Sequence, residues 1–253
     1  MELDINNSNW KKLYRLGAVC TFLVVFVMVA ELFLTALPDG ARAPLTITAW
    51  FDLFNRNWFI GMRNLGLINI IATTLMVPVF FSIFGLHRKE NSAFAGLSFI
   101  IFIAGYAIFM ADNASFPMLE LSRKYAIADL ESKKILLAAG ESLLAKGSSH
   151  TPGTFPGFFL AEIAGIFFSI VMLHGRVFSK ITGVVGIIAF GFLFLFEVSS
   201  SFIHALYDTS MILAIIGGIF SYAWYIMIGL RLLKVSKKSE KSNGSQKSSR
   251  SKK

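Results

Sequence analysis

Cysteine is almost absent from this 253-residue chain: Cys20 is the single one. That excludes an internal disulfide and a thiolate metal centre. It also leaves the redox compartment unread. Histidine is scarce too, with four residues, and no His-Glu-x-x-His or other multi-histidine pattern occurs, which argues against a three-histidine zinc hydrolase. Glycine-rich phosphate loops and dinucleotide fingerprints are missing. Ser199, Ser200 and Ser201 with His204 and Asp208 supply the residue types of a serine hydrolase but lack a nucleophile-elbow signature. No metal and no cofactor is therefore expected. Charged residues make up 15% of the chain, against about 25% in ordinary soluble proteins.

Apolar sequence is what the chain has in excess. Hydrophobic residues reach 55%, and Phe occurs 26 times against 6 Tyr and 4 Trp, the bias expected where rings meet lipid and need no polar partner. Six apolar runs are long enough to cross a hydrocarbon core, which takes about 20 residues. They lie at about 16–37, 65–86, 92–110, 155–173, 181–202 and 209–233. The expected fold class is all-α: a polytopic membrane protein with a six-transmembrane-helix bundle over residues 1–235. Pro78 interrupts the second run, and a spanning helix tolerates it as a kink.

Charge sets the expected orientation. Placing both termini in the cytoplasm puts 16 of the 24 Lys and Arg on the inner side, among them Lys11, Lys12, Arg15, Arg88, Lys89, Arg176 and Lys180. The positive-inside bias favours this over the reverse, giving a multi-pass protein of the cell membrane. The net charge of +9 then reflects topology and attraction to lipid headgroups, and no nucleic acid is expected. Ala41-Arg42-Ala43 resembles a signal-peptide cleavage site, but the preceding apolar run is too long for an h-region, so retention is expected. Residues 236–253 are nearly all Ser and Lys. They bury too little to fold and are expected to be a disordered cytoplasmic tail, with anionic phospholipid as a weak partner. A protein partner or oligomer is left open.

Two outer loops are long. Residues 38–64 mix Trp50, Phe51, Leu53, Phe54, Trp58 and Phe59 with polar residues, which suits either a helix in the headgroup layer or a lid over the bundle. Residues 111–154 read as helical, with Ser122 as a cap, Ile135, Leu136, Ala139 and Leu143 as an apolar stripe, and Gly147 as the stop.

The stretches Leu121-Ser122-Arg123-Lys124-Tyr125-Ala126-Ile127-Ala128, Leu136-Leu137-Ala138-Ala139-Gly140-Glu141 and Gly153-Thr154 carry a resemblance. So do Ser169-Ile170-Val171-Met172-Leu173, Val177-Phe178-Ser179-Lys180-Ile181-Thr182 and Val185-Gly186-Ile187. Together they resemble the multi-pass membrane proteins grouped as domain of unknown function 4386, over roughly Met62 to Leu233. The resemblance implies a compact helical bundle with a helical extracytoplasmic loop between spans three and four. It implies no catalytic residue.

Ionisable groups inside apolar sequence cost a few kcal/mol or more at mid-depth, so each is a functional candidate. Glu31 lies about 9 Å below the outer end of the first span, and Glu162 and Glu197 lie in the outer parts of the fourth and fifth. Asp112 and Asn113 finish the third, His204 and Asp208 occupy the link to the sixth, and Asn69 is near the outer end of the second. These eight form the expected lining of an outward-facing acidic cavity. The alternative is that the outermost ones cap helices and that Glu31 and Glu162 bond across them. A small-residue line, Ala161, Gly165 and Ser169, offers a close helix contact.

The first expectation for function is a non-enzymatic integral membrane protein. The alternatives are an outer-leaflet enzyme working on a lipid-type substrate by carboxylate acid/base chemistry, and a small proton- or cation-coupled transporter. No internal repeat with broken helices favours the last.

Overall fold

The computed structural model of the chain describes residues 8–35 and 44–250; the side chains of residues 8, 204, 207, 208 and 238–250 fall outside the description. Pro38-Asp39-Gly40 at the end of the first span, and the Ala41–Ala43 segment, likewise lie outside the described residues.

Six helices are long and apolar enough to cross a membrane: α1 (Ser8–Thr35), α4 (Leu67–His87), α5 (Ser92–Asp112), α8 (Phe155–His174), α9 (Lys180–Phe202) and α10 (Tyr207–Arg250). Four short helices, α2 (Ile47–Arg56), α3 (Trp58–Asn64), α6 (Ser115–Ile127) and α7 (Leu130–Gly147), fill the two long connections, α1 to α4 and α5 to α8. No strand is present among the described residues, and the all-α polytopic bundle expected from the apolar runs is what forms. The outer surfaces of the long helices stay apolar and uncovered, as at Phe26, Phe33, Ile100 and Ile219. Contiguous exposure of this kind marks a lipid or partner-facing surface.

Local sequence sets the helix starts. Asn91 and Ser179 accept hydrogen bonds from the third-residue amides of α5 and α9, Phe94 N and Thr182 N, as N-caps do. Gly66 precedes α4 with φ +91°, a left-handed turn that favours glycine. α4 runs through Pro78 unbroken. The Pro78 carbonyl accepts the Ser82 hydroxyl at 2.7 Å.

The spans pack in chain order, α1 on α4, α4 on α5, α5 on α8, α8 on α9 and α9 on α10, and α10 returns to α1. The bundle is thus a sequential closed ring. Small residues tighten its seams: a Cβ on Gly105 of α5 would stand 2.8 Å from the Gly157 carbonyl of α8, and Gly165 receives the Phe190 ring of α9. The predicted line on α8 therefore divides between neighbours, with Ala161 toward α5 and Gly165 and Ser169 toward α9. At the terminus-bearing end the ring interior is filled by aromatics. Phe80 stacks on Phe102 at 4.2 Å, Phe168 meets Phe80 edge-on, and Trp224 packs edge-on against Phe190.

On the opposite face, α2, α3, α6 and α7 pack together around Ile47, Trp50, Phe51, Leu53, Phe54, Ile60 and Met118. The aromatics of residues 38–64 that fall in the described part thus build a cap with the second loop. They do not all lie in a headgroup layer, although Trp58 stays exposed. The second loop is helical as expected, but it breaks at Ala128, and Asp129 caps α7 through the Ser132 amide. Ser122 lies buried inside α6, its hydroxyl bonded to the Leu119 carbonyl. Ile135, expected on the packed stripe, is 72% exposed. Leu143 of that stripe does pack against the cap core, joined by Leu137, Gly140 and Leu144.

The helical backbone of α10 carries on to Arg250, past the point where composition suggested disorder. Extending an existing helix needs no new nucleus, and Ser, Lys and Gln tolerate the conformation.

Candidate functional site

Between the aromatic plug and the cap lies a cavity of about 230 Å³, lined by at least one residue from every one of the six spans. Asn69, Ala72, Thr73 and Met76 come from α4, Ala161 and Glu162 from α8, Leu193 and Phe196 from α9, and Ser221 and Tyr225 from α10; Met28 of α1 and Phe102 of α5 complete the wall. Helix depth fixes its position. Glu162 is seven residues below the start of α8, about 10 Å, and Phe80 and Phe102 form the floor about 15–20 Å down. The cavity thus occupies the cap-side half of the ring.

Its walls are mostly apolar, and the polar groups are few. The Thr73 hydroxyl is bonded to the Asn69 carbonyl at 2.7 Å, that of Ser221 to the Gly218 carbonyl at 2.8 Å, and the Tyr225 hydroxyl donates to Met76 Sδ at 3.2 Å. Glu162 differs. Its Oε2 has no solvent contact and no hydrogen-bond partner, and it lies within electrostatic reach of Glu197 and Tyr225. A buried carboxyl oxygen without a partner is costly in either protonation state.

Glu197 is itself buried, 1% exposed, and its Oε2 lies 2.8 Å from His150 Nδ1. Ser201 Oγ donates to Oε1 at 3.4 Å. His150 comes from the α7–α8 link and reaches the cavity wall with φ +58°, the one positive φ outside glycine among the described residues. Its ring is held between Phe158 at 5.3 Å and Phe196 at 4.8 Å. The link thus bends into an uncommon backbone state to lay an imidazole on a buried carboxylate.

The eight residues predicted from sequence divide into several places. Glu162 and Asn69 line the cavity, and Glu197 borders it through His150. Glu31 instead pairs with Arg63 of α3 at 2.6 Å, and the same guanidinium bonds the Thr35 hydroxyl, so this group ties the cap to α1. Asp112 pairs with Lys146 of α7 at 3.0 Å on the surface. Asn113 organises a turn: its Nδ2 donates to the Leu65 carbonyl at 2.9 Å and its Oδ1 accepts from Ser115 N and Oγ. The His204 and Asp208 side chains lie outside the description.

His150 is the residue that sequence reasoning missed. Its signal was weak: a lone His before Thr-Pro-Gly in a turn, 47 positions from its partner. Among the described residues, no group of three or more His, Cys, Asp or Glu is arranged to hold a metal ion.

Fold and site together define a polytopic all-α membrane protein built as a sequential ring of six spans around a cap-side cavity. No family model, curated protein or solved structure matches the chain.

Proposed function

We propose that the protein is a non-enzymatic ligand-binding membrane protein whose cavity receives a small organic ammonium compound from the outer side. The observation that carries this reading is Glu162 Oε2, enclosed and unpartnered in a chamber otherwise walled by apolar and aromatic side chains. A cation with an apolar body satisfies both features: the charge meets the carboxyl, and the faces of Phe158, Phe196 and Tyr225 attract it further. The volume has room for about eight waters or an amine of similar bulk.

The orientation in this reading has both termini in the cytoplasm and the cap outside, supported by the cationic loops that cluster at the terminus-bearing end. Tags at each terminus and in the α6–α7 turn, probed in intact cells, test it. Surface labelling of the terminal tags refutes it. The resemblance to the domain of unknown function 4386 proteins remains a proposal and lends no activity.

Benzyltrimethylammonium and its uncharged carbon analogue neopentylbenzene make the test. The expected result is tighter binding of the cation to the detergent-solubilised protein, and a tenfold to hundredfold loss, about 1.5–3 kcal/mol, in Glu162→Gln. Equal binding of the two probes, or no loss in the variant, overturns the proposal.

A second reading, an outer-leaflet enzyme, draws on the His150–Glu197 contact, in which a carboxylate orients an imidazole as a base would require. It ranks lower because, among the described residues, no hydroxyl or thiol is bonded to the other ring nitrogen.

A further inference from the structure

The groove between α9 and α10 at the terminus-bearing end is cationic, amphipathic and separate from the cavity. It measures about 500 Å³ and is lined by Arg176, Arg231 and Lys234 together with Ser179 and Thr182. Among the described residues none of the three cations has an acidic partner within 4.0 Å. The nearby carboxylate of Glu90 is engaged by the backbone N–H of Arg176 at 3.1 Å, not by its guanidinium. Arg231 Nε is enclosed and has no hydrogen-bond partner. Met227, Arg231 and Lys234 recur at i, i+4 and i+7 on α10 and so share one helix face. The start of α9 opens on the same groove, adding the partial positive charge of its first-turn amides.

We propose that this groove binds the phosphate of an anionic phospholipid. Like-charged side chains gathered with no ion pair of their own among the described residues repel one another, and an anion between them removes that repulsion. A phosphodiester suits the arginine forks, which match its paired oxygens. The source of the phosphate is decided by the rest of the wall. Val177, Phe178 and Met227 give it an apolar side, and neighbouring Leu230 is 57% exposed on the outer face of the bundle. A free phosphate has no use for such a wall, whereas a lipid lays its glycerol and first methylenes along it. Basic pockets between spanning helices at the inner leaflet hold anionic headgroups in this way. The site is distinct from the basic tail, whose cations follow it in the chain.

The test titrates dioleoyl-phosphatidylglycerol and dioleoyl-phosphatidylcholine into the full-length protein in detergent, with bound lipid counted by native mass spectrometry. Phosphatidylglycerol binds more tightly in the expected result. Each charge removed costs about fivefold, so Lys234→Gln, an exposed position whose loss leaves the fold intact, lowers its affinity about fivefold. Adding Arg176→Gln and Arg231→Gln lowers it on the order of a hundredfold. Phosphatidylcholine binding is unchanged throughout. A tail variant, Lys247→Gln with Lys252→Gln and Lys253→Gln, retains wild-type affinity. Unaltered phosphatidylglycerol binding in Lys234→Gln overturns the proposal, and so does loss of binding in the tail variant. Inorganic phosphate that competes at the lipid's own concentration overturns the assignment to a lipid.

Discussion

Replacing His150 by glycine isolates what the imidazole does at the cavity wall. The backbone at this position has φ +58°, which costs an L-residue about 1–2 kcal/mol. Glycine relieves that cost but loses about 0.5–1 kcal/mol through its larger unfolded-state freedom, so the backbone contributions nearly cancel. What remains is the side chain. Glu197, 1% exposed, loses its 2.8 Å partner and keeps only the 3.4 Å bond from Ser201. Breaking a buried hydrogen-bonded pair from one side costs about 3–5 kcal/mol. The His150 side chain is 33% exposed, so water enters where it leaves, and the net loss falls to about 2–3 kcal/mol. For a chain of this size that lowers Tm by about 4–12 °C, read by intrinsic fluorescence in detergent at a fixed scan rate. Glu197→Gln in the glycine background removes the orphaned carboxylate and restores part of the loss, a coupling of about 1–3 kcal/mol. A Tm for His150→Gly at or above that of the parent refutes the reasoning, because Glu197 would then not depend on the imidazole.

Glu31→Gln breaks the 2.6 Å ion pair with Arg63 and leaves a guanidinium enclosed beside Thr35; a loss of about 2–4 kcal/mol is expected, and proteolysis should show the cap opening before the spans. Gly105→Ala places a methyl 2.8 Å from the Gly157 carbonyl, a backbone atom that cannot swing away, and should cost about 1–3 kcal/mol. Gly191→Ala, where a Cβ meets nothing within 4 Å, should be neutral or stabilising by up to about 1 kcal/mol; equal effects at the two glycines in thermal unfolding would refute the seam assignment. The Ser132 N–H holds the Asp129 carboxyl below the usual carboxylate range. Because the folded value is the lower one, the cap's stabilisation is full above the unfolded value of about 3.9 and disappears as pH falls through the folded value. Hydrogen exchange at the start of α7, corrected for intrinsic rate, should therefore quicken below about pH 4 in the parent and show no such step in Asp129→Ala.

The spans were legible because lipid imposes one rule along twenty consecutive residues, and α4, α5, α8 and α9 begin and end within about two residues of the apolar runs, whereas α1 starts earlier and α10 continues further. The short-range caps were only partly legible. The sequence offers Ser122 as a cap, whereas Asp129 caps α7, because nothing local reveals that Ala128 is extended. Depth along a helix was readable as well: Glu31, Glu162 and Glu197 all lie toward the cap side. Which neighbour each one meets was not. That depends on the azimuth of the helix and on which loop folds back over it, and sequence offers no measure of either. Arg63 and His150, the residues that meet Glu31 and Glu197, both arrive from the cap, 32 and 47 positions away in the chain. The cap's internal packing was the least visible element. Its aromatics looked suited to a headgroup layer as much as to a small core, and only the second loop, folding against them, decided it.

The ring also explains why the cavity exists and why phenylalanine is so abundant. Six equal cylinders in a closed ring leave a central space as wide as a seventh, about 10 Å for helices with side chains. That space must be filled from the inward faces, since a dry void forfeits contacts on every side. At the terminus-bearing half, Phe80, Phe102, Phe168, Phe190 and Trp224 fill it with rings, the largest apolar volume each position can offer. At the cap-side half the inward positions are Ala72, Thr73, Ala161 and Ser221, which are too small to meet across it. The void is therefore written into residue size, and Glu162, the one carboxyl that lines it among the described residues, gives it a polar end. Geometry alone would leave an empty seventh cylinder along the whole ring; this sequence closes half and leaves the other half open beneath the cap.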